Sequence, residues 1–357
     1  MRTIEDAARA VDCWHDVHRD CYSLFGENAK KHGKLVVKAF AEACLILHVL
    51  RDGVDQDRSS FASVLRADIE NPVFMHFLHL SRDDVMYRLT PLMLATSYSW
   101  DIDLAECRNR VMAGGDMHYP RPVFQCVGLW WAYRTLGWSG CPYDLDMLLA
   151  CSPFVVCTPP GLIGIGSAYG FAHWIMYLTD FGRDLTYFKD WRDTNKIGAI
   201  TNSLCARALC SQHLDLAIEL TVASFCLDRL DPALLMGVLA EMRRNLSETG
   251  TVAGDSKFGF EPDSLPPGPT HAWQSRYHCL LLAKLLLGLI QRTPAAVDRN
   301  WWGGAEARFD RWQEIGIALK FVYEGDTRQG QEILRRGGFD DLVSIADLIG
   351  CLDRSSK

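Results

Sequence analysis

Apolar residues recur every three or four positions along most of the chain, the spacing that gathers them on one face of a helix. Val36, Val37, Phe40, Ala43, Cys44, Leu47, Val49 and Leu50 form one such stripe, and Gly53 supplies a helix stop. Comparable stretches predict helices over 4–24, 60–80, 84–97, 103–113, 122–137, 167–180, 185–209, 213–228, 232–246, 273–292, 304–322, 326–336 and 339–352. Asp231-Pro232 sets a capping carboxylate before a first-turn proline, a clear helix start. Only Phe154-Val155-Val156-Cys157, bounded by Pro153 and Pro159, reads as strand-like. The pattern predicts an all-α protein.

No Ser/Gly linker or charge block marks a boundary. The expectation is a single helical domain over 1–357, with N-terminal helices in 1–150, a core in 160–292 and C-terminal helices in 297–354. Paired helices with short connections suit helical hairpins stacked into a ring or superhelix. Two stretches rich in Gly and Pro, 153–166 and 249–269, interrupt the helical rhythm. A loop as long as the second is uncommon in a compact domain and is often functional.

Composition narrows the classes. The chain is 48% hydrophobic and 23% charged, which excludes disorder and low-complexity polymers. Net charge is −7, and the 37 Lys and Arg are scattered with no basic stripe, so nucleic acid is not an expected partner. The longest apolar candidate, Cys279 to Ile290, carries Lys284 and is about one-third too short for a bilayer, so no membrane is expected. Met1-Arg2-Thr3-Ile4-Glu5-Asp6 turns acidic at once, unlike a signal peptide. The thirteen cysteines are odd in number and include no Cys-x-x-Cys. Cys13, Cys44, Cys126, Cys205, Cys226 and Cys279 sit in apolar helical patterns, where a thiol acts as a small hydrophobe. Reduced, structural thiols point to the cytoplasm.

Several familiar words in the sequence fail on spacing. Gly164-Ile165-Gly166-Ser167-Ala168-Tyr169-Gly170 has the wrong interval for a dinucleotide fingerprint and lacks a second strand–helix–strand unit, so its glycines are expected to permit close helix packing. His18-Arg19-Asp20 and Asp180-Phe181-Gly182 lie too far apart for a protein kinase. Asp83-Asp84 and Asp340-Asp341 lack the third carboxylate of a class I terpene cyclase, while Asp101-Ile102-Asp103-Leu104 and Asp144-Leu145-Asp146-Met147 lack the last Asp of a class II acid. The pairs His15/His18 and His76/His79 have no companion at a metal-ligand spacing.

Three polar elements stand out against the apolar background. Tyr169, His173, Tyr177 and Asp180, at i, i+4, i+8 and i+11, form one helical stripe suited to proton transfer, with Trp174 beside it. Asp215 and Glu219 are i, i+4 and share a face; Glu219 lies among apolar neighbours. Phe258-Gly259 lies in the long loop, and Trp273, Gln274, Tyr277 and His278 follow it, opening a very apolar helix.

These elements, in this order, resemble an uncharacterised family of bacterial α-helical proteins. The resemblance covers 160–290, about a third of the chain, and rests on Tyr169, His173, Tyr177, Thr179, Asp180, Phe181 and Gly182, then Asp215, Leu216, Glu219 and Leu220, then Phe258, Gly259, Tyr277 and His278; Glu42 also fits. It implies an α/α toroid, similar in shape to terpenoid cyclases, prenyltransferase β subunits and lanthionine cyclases, and it supplies no established reaction. The Cys-Cys-His zinc pattern of lanthionine cyclases is missing.

The leading expectation is an enzyme of bacterial specialised metabolism that needs no cofactor. It would catalyse acid–base cyclisation, isomerisation or elimination on a small, largely apolar or carrier-bound substrate. The catalytic candidates are His173, Tyr177, Asp180, Asp215, Glu219 and His278; the substrate-binding candidates are Tyr169, Trp174, Phe258, Trp273, Gln274 and Tyr277. Trp130, Trp131, Trp174, Trp191 and Trp273 would form an apolar wall. Two alternatives stay open. One is a metalloenzyme using His173, His278 and a carboxylate; the other is a helical module that binds a peptide, a carrier domain or a protein.

Overall fold

The computed structural model describes residues 4–52, 60–80, 85–113, 120–156, 160–189, 194–249, 251–252, 273, 276–292, 305–324 and 326–336. Among them there is no strand. The chain runs through α1 (Ile4–Val17), a 3-10 turn (Arg19–Tyr22), α2 (Glu27–Val49), α3 (Ser60–Ile69), α4 (Phe74–Leu80), α5 (Val85–Ser97) and α6 (Leu104–Ala113). It continues through α7 (Val123–Thr135), α8 (Leu145–Ala150), α9 (Pro153–Val156), a 3-10 turn (Pro160–Leu162), α10 (Ile165–Leu178) and α11 (Thr186–Lys189). The remaining helices are α12 (Thr194–Cys210), α13 (Leu214–Cys226), α14 (Pro232–Thr249), α15 (Tyr277–Arg292), α16 (Ala305–Tyr323) and α17 (Thr327–Arg336).

The all-α expectation holds, with local corrections. The strand-like run at Phe154 is the short helix α9, opened by Pro153, whose fixed φ suits a first helical turn. The stretch 60–80 breaks in two at Asn71-Pro72. Proline has no N–H to continue the ladder, and Asn71 Oδ1 accepts from the Val73 N–H at 2.9 Å to open α4. The expected helix over 339–352 lies outside the described residues. The eleven cysteines among the described residues are free thiols, and Cys13 is exposed rather than packed.

Contacts group the chain into two compact units, and no linker composition announces the division. The first comprises Met1–Leu148 and Asn245–Arg292. In it the apolar stripe of α2, apart from half-buried Val37, is buried from Val36 to Val49, and α2 packs against both α5 and α15. His48 Nδ1 lies 2.6 Å from Ser97 Oγ, tying α2 to α5. Asp68 accepts from the Leu24 N–H at 2.6 Å and from Ser23 Oγ at 3.1 Å, pinning the first 3-10 turn to α3; burial raises its carboxyl pKa. Gly288 lets α15 approach α2, since a methyl there would sit 2.6 Å from Leu50 Cδ2.

The second unit comprises Leu149–Arg244 and Thr293–Lys357. Helices α12 and α13 form an antiparallel hairpin. Its turn takes Gln212 through φ +61°, and Asn202 joins the two helices by accepting from Ser224 Oγ at 2.9 Å. Gly316 of α16 meets the other side of α12, where a methyl would sit 2.5 Å from the Ala206 carbonyl oxygen. Asp231 caps α14 as expected, its Oδ1 accepting from the Ala233 N–H at 2.8 Å.

Candidate active site

The helix that carries the polar stripe, α10, is aimed by a buried arginine. Arg207 donates to the carbonyls of Pro160 at 3.0 Å and Ile163 at 2.6 Å, fixing the segment that enters α10. The Tyr323 ring lies 5.0 Å from its guanidinium carbon, and burial lowers the arginine's pKa. Gly164 is the N-cap of α10. A methyl at Gly164 or Gly166 would meet nothing within 4 Å, which corrects the expectation that these glycines permit close helix packing.

Along α10 and α13, polar side chains meet in two successive rungs. The Tyr169 hydroxyl donates to Asp215 Oδ2 at 2.5 Å. One turn later, His173 Nε2 stands 3.3 Å from Glu219 Oε2. The rungs ascend in the same order on both helices, so α10 and α13 run parallel. Glu219 keeps only 3% of its side chain exposed, whereas His173 keeps 28%. A carboxylate removed from water lies behind an imidazole that still reaches the surface. This arrangement sets an accessible imidazole against a buried carboxylate, a pairing suited to general acid–base work.

The expected stripe stops short of Asp180. Helix α10 ends at Leu178 and Thr179 is its C-cap, so Asp180 lies beyond the helix in left-handed backbone at φ +46°. Thr179 Oγ1 donates to the Ile175 carbonyl at 2.8 Å and accepts from the Gly182 N–H at 3.2 Å. Phe181 and Gly182 also have positive φ, and a methyl at Gly182 would lie 3.3 Å from Cys226 Cα. Thr179-Asp180-Phe181-Gly182 is thus a helix stop seated on the end of α13. Asp180 belongs to that corner, where with Arg183 it acts on the Cys226 thiol, pushed up to about 12 chiefly by burial. The carboxylate at His173 is Glu219.

The other candidates divide between stripe and core. Tyr177 is half-buried, its ring 5.9 Å from that of His173, and it extends the stripe. Trp174 is 2% exposed and packs edge-on against Phe154 at 6.0 Å, within an aromatic core that also holds Phe171 and Phe188. His278, Trp273 and Tyr277 lie in the first unit. Trp273 and Tyr277 are buried and stacked at 5.0 Å, with Tyr22 edge-on to Trp273, so their faces are taken by one another rather than offered to a ligand. Phe258 and Gln274 lie outside the described residues, as do Gly259 and Trp191.

His278 makes a pair of its own. Its Nδ1 lies 3.1 Å from Glu42 Oε2, and Lys38 Nζ lies 3.6 Å from the other oxygen of the same carboxylate. The contacts His278–Glu42 and Gly288–Leu50 advance together along the chain, so α15 and α2 are also parallel. Lys38 gave no signal in the sequence beyond its i, i+4 spacing to Glu42. His15, in the same unit, is fully buried, its Nδ1 at 3.0 Å from the Tyr22 hydroxyl; burial drops its pKa to about 3. It is a neutral core histidine.

Among the described residues, no group of three or more His, Cys, Asp or Glu side chains is placed to hold a metal ion. No helix among them is long and apolar enough to cross a membrane. The chain belongs to the family described as Domain of unknown function (DUF6895), whose model matches residues 7–287. No curated protein and no solved structure matches the chain.

Proposed function

We propose that this member of the DUF6895 family is an acid–base enzyme in which His173, oriented by Glu219, moves a proton to or from a small, largely apolar substrate. The observation that carries the reading is the unequal exposure of that pair, a carboxylate 3% exposed behind an imidazole 28% exposed at 3.3 Å. A histidine serving only the core would be buried with its partner, as His15 is with Tyr22. A solvent-facing ion pair would leave the carboxylate wet.

Cyclisation, isomerisation and elimination all fit a site whose functional groups are imidazole, carboxylate and phenol. An α/α toroid remains part of this proposal. The parallel pairs α10–α13 and α2–α15 support it, because a toroid of stacked hairpins sets alternate helices parallel. A cytoplasmic role in biosynthesis belongs to the same proposal.

The test is metabolite profiling by mass spectrometry. Wild-type protein and His173→Gln, matched for folding by circular dichroism, are incubated with a small-molecule extract. A compound consumed by the wild type and spared by the variant is the expected result. Equal consumption by both proteins, or none by the wild type, would overturn the reading.

A further inference from the structure

We infer that the second unit holds a binding site for a small, uncharged heteroaromatic molecule, in a cavity between α12, α14 and α16 where Trp312 supplies a stacking face and Gln212 and Gln313 a hydrogen-bonding edge. The inference is independent of the assignment of His173, since none of the residues lining the cavity lies on α10 or α13.

The cavity follows from how the three helices meet. Gly316 brings α16 against the backbone of α12, and the Cys210 thiol at the end of α12 donates to the Gln313 carbonyl at 3.6 Å. Helix α14 contributes Leu234, fully buried, and Gly237, a buried position with no side chain. A volume of about 230 Å3 is left between the helices. That is just below the roughly 300–1,000 Å3 of sites for drug-sized molecules, which limits the ligand to one ring or a fused pair.

The chemistry of the lining selects the ligand class. Every other described tryptophan has a ring or guanidinium partner, such as Tyr98 beside Trp100, Phe154 against Trp174 and Arg134 over Trp130. Trp312, half-buried at the cavity, has none among the described residues. An indole without a ring neighbour on a cavity wall offers its face to a planar ligand. The side-chain amides of Gln212 and Gln313, both exposed at the rim, make no hydrogen bond among the described residues. A carboxamide presents a donor and an acceptor side by side, the pattern that pairs with the edge of a heteroaromatic ring. The two charged residues of the lining, Glu241 and Arg244, pair with one another, Arg244 Nε donating to Glu241 Oε2 at 3.0 Å. Burial raises the pKa of the Cys210 thiol, so it stays protonated. A lining without net charge gives no advantage to an ionic ligand over a neutral one.

The experiment titrates full-length protein by ligand-observed NMR with nicotinamide, adenine and uracil, and with two matched controls. Nicotinate adds a charge to nicotinamide, and cyclohexanecarboxamide removes its aromatic face. At least one of the three neutral rings should bind, and nicotinamide should bind more tightly than either control. Trp312→Leu should weaken binding by about 5- to 150-fold, the range that stacking a base on an aromatic side chain supplies, whereas Trp312→Phe, which keeps a ring, should retain most of it. Gln313→Ala changes an exposed helical side chain and should weaken binding by about 2- to 10-fold with an unchanged melting temperature. His173→Gln should bind as the wild type does. If all three neutral rings fail to bind at millimolar concentration, the inference falls and the His173 assignment is untouched. Binding unchanged in both Trp312→Leu and Gln313→Ala, or lost only in His173→Gln, places the ring elsewhere and overturns it. Either control binding as tightly as nicotinamide overturns the ligand class.

Discussion

His173 Nε2 stands 3.3 Å from the Glu219 carboxylate across two parallel helices, and the Tyr169–Asp215 bond one turn earlier fixes the register that brings them together. Glu219→Gln keeps the side chain's shape and removes its charge, so a double-mutant cycle with His173→Gln, read by urea unfolding, should show non-additive effects for groups in contact. Additive effects would contradict the contact.

The helix stop after α10 is a matter of backbone strain. Gly182 adopts φ +86°, where a side chain is disfavoured by about 1–2 kcal/mol, and it lies against the backbone of Cys226. Gly182→Ala should destabilise the protein by at least that much in urea unfolding, since two effects act in the same direction. A neutral result would mean that the corner relaxes without cost.

How much of this site was visible in the residues depends on which relation is asked about. The i, i+4 spacing within α10 and within α13 put Tyr169 with His173, and Asp215 with Glu219, because one helix's period decides which of its residues share a face. The pairing between helices was not visible, since it depends on a register that no local pattern encodes. For the same reason Glu42 appeared only through a resemblance, although it lies 3.1 Å from His278. Asp180 misled because periodicity continues past a helix end; the Thr179 cap is a side-chain device that periodicity does not see. Trp174 and Trp273 carried no mark distinguishing a packed indole from one lining a pocket. The all-α class, by contrast, followed from periodicity and from caps such as Asp231-Pro232.

Glycine substitutions should separate contact from propensity. At Gly316 a methyl would sit 2.5 Å from the Ala206 carbonyl oxygen, and backbone cannot step aside as a side-chain tip does. Gly316→Ala should cost about 1–3 kcal/mol. Gly166 lies in the first turn of α10 with nothing within 4 Å of its missing methyl, so Gly166→Ala should stabilise by about 0.4–1 kcal/mol. Thermal melts of both variants check the pair, and equal shifts of one sign would contradict the packing described.

Acid should weaken the first unit through His15. Its folded pKa lies near 3 against 6.5 when exposed, so between those values the unfolded chain binds a proton that the folded chain refuses. The stabilisation is complete above 6.5 and is lost as pH falls toward 3, by up to about 1.4 kcal/mol per pH unit. Urea unfolding from pH 6.5 down to pH 4 should show this slope, and His15→Gln should flatten it. An unchanged slope would place the proton uptake elsewhere.

The central claim is that the His173–Glu219 pair transfers a proton in catalysis, and rates address it most directly. For a compound consumed by the wild type, initial rates are compared among wild type, His173→Gln and Glu219→Gln at equal concentration and equal melting temperature. The account predicts a loss on the order of 100-fold or more for His173→Gln and a smaller but clear loss for Glu219→Gln, which removes the carboxylate's charge from beside the imidazole. Rates equal to the wild type in both variants would contradict it.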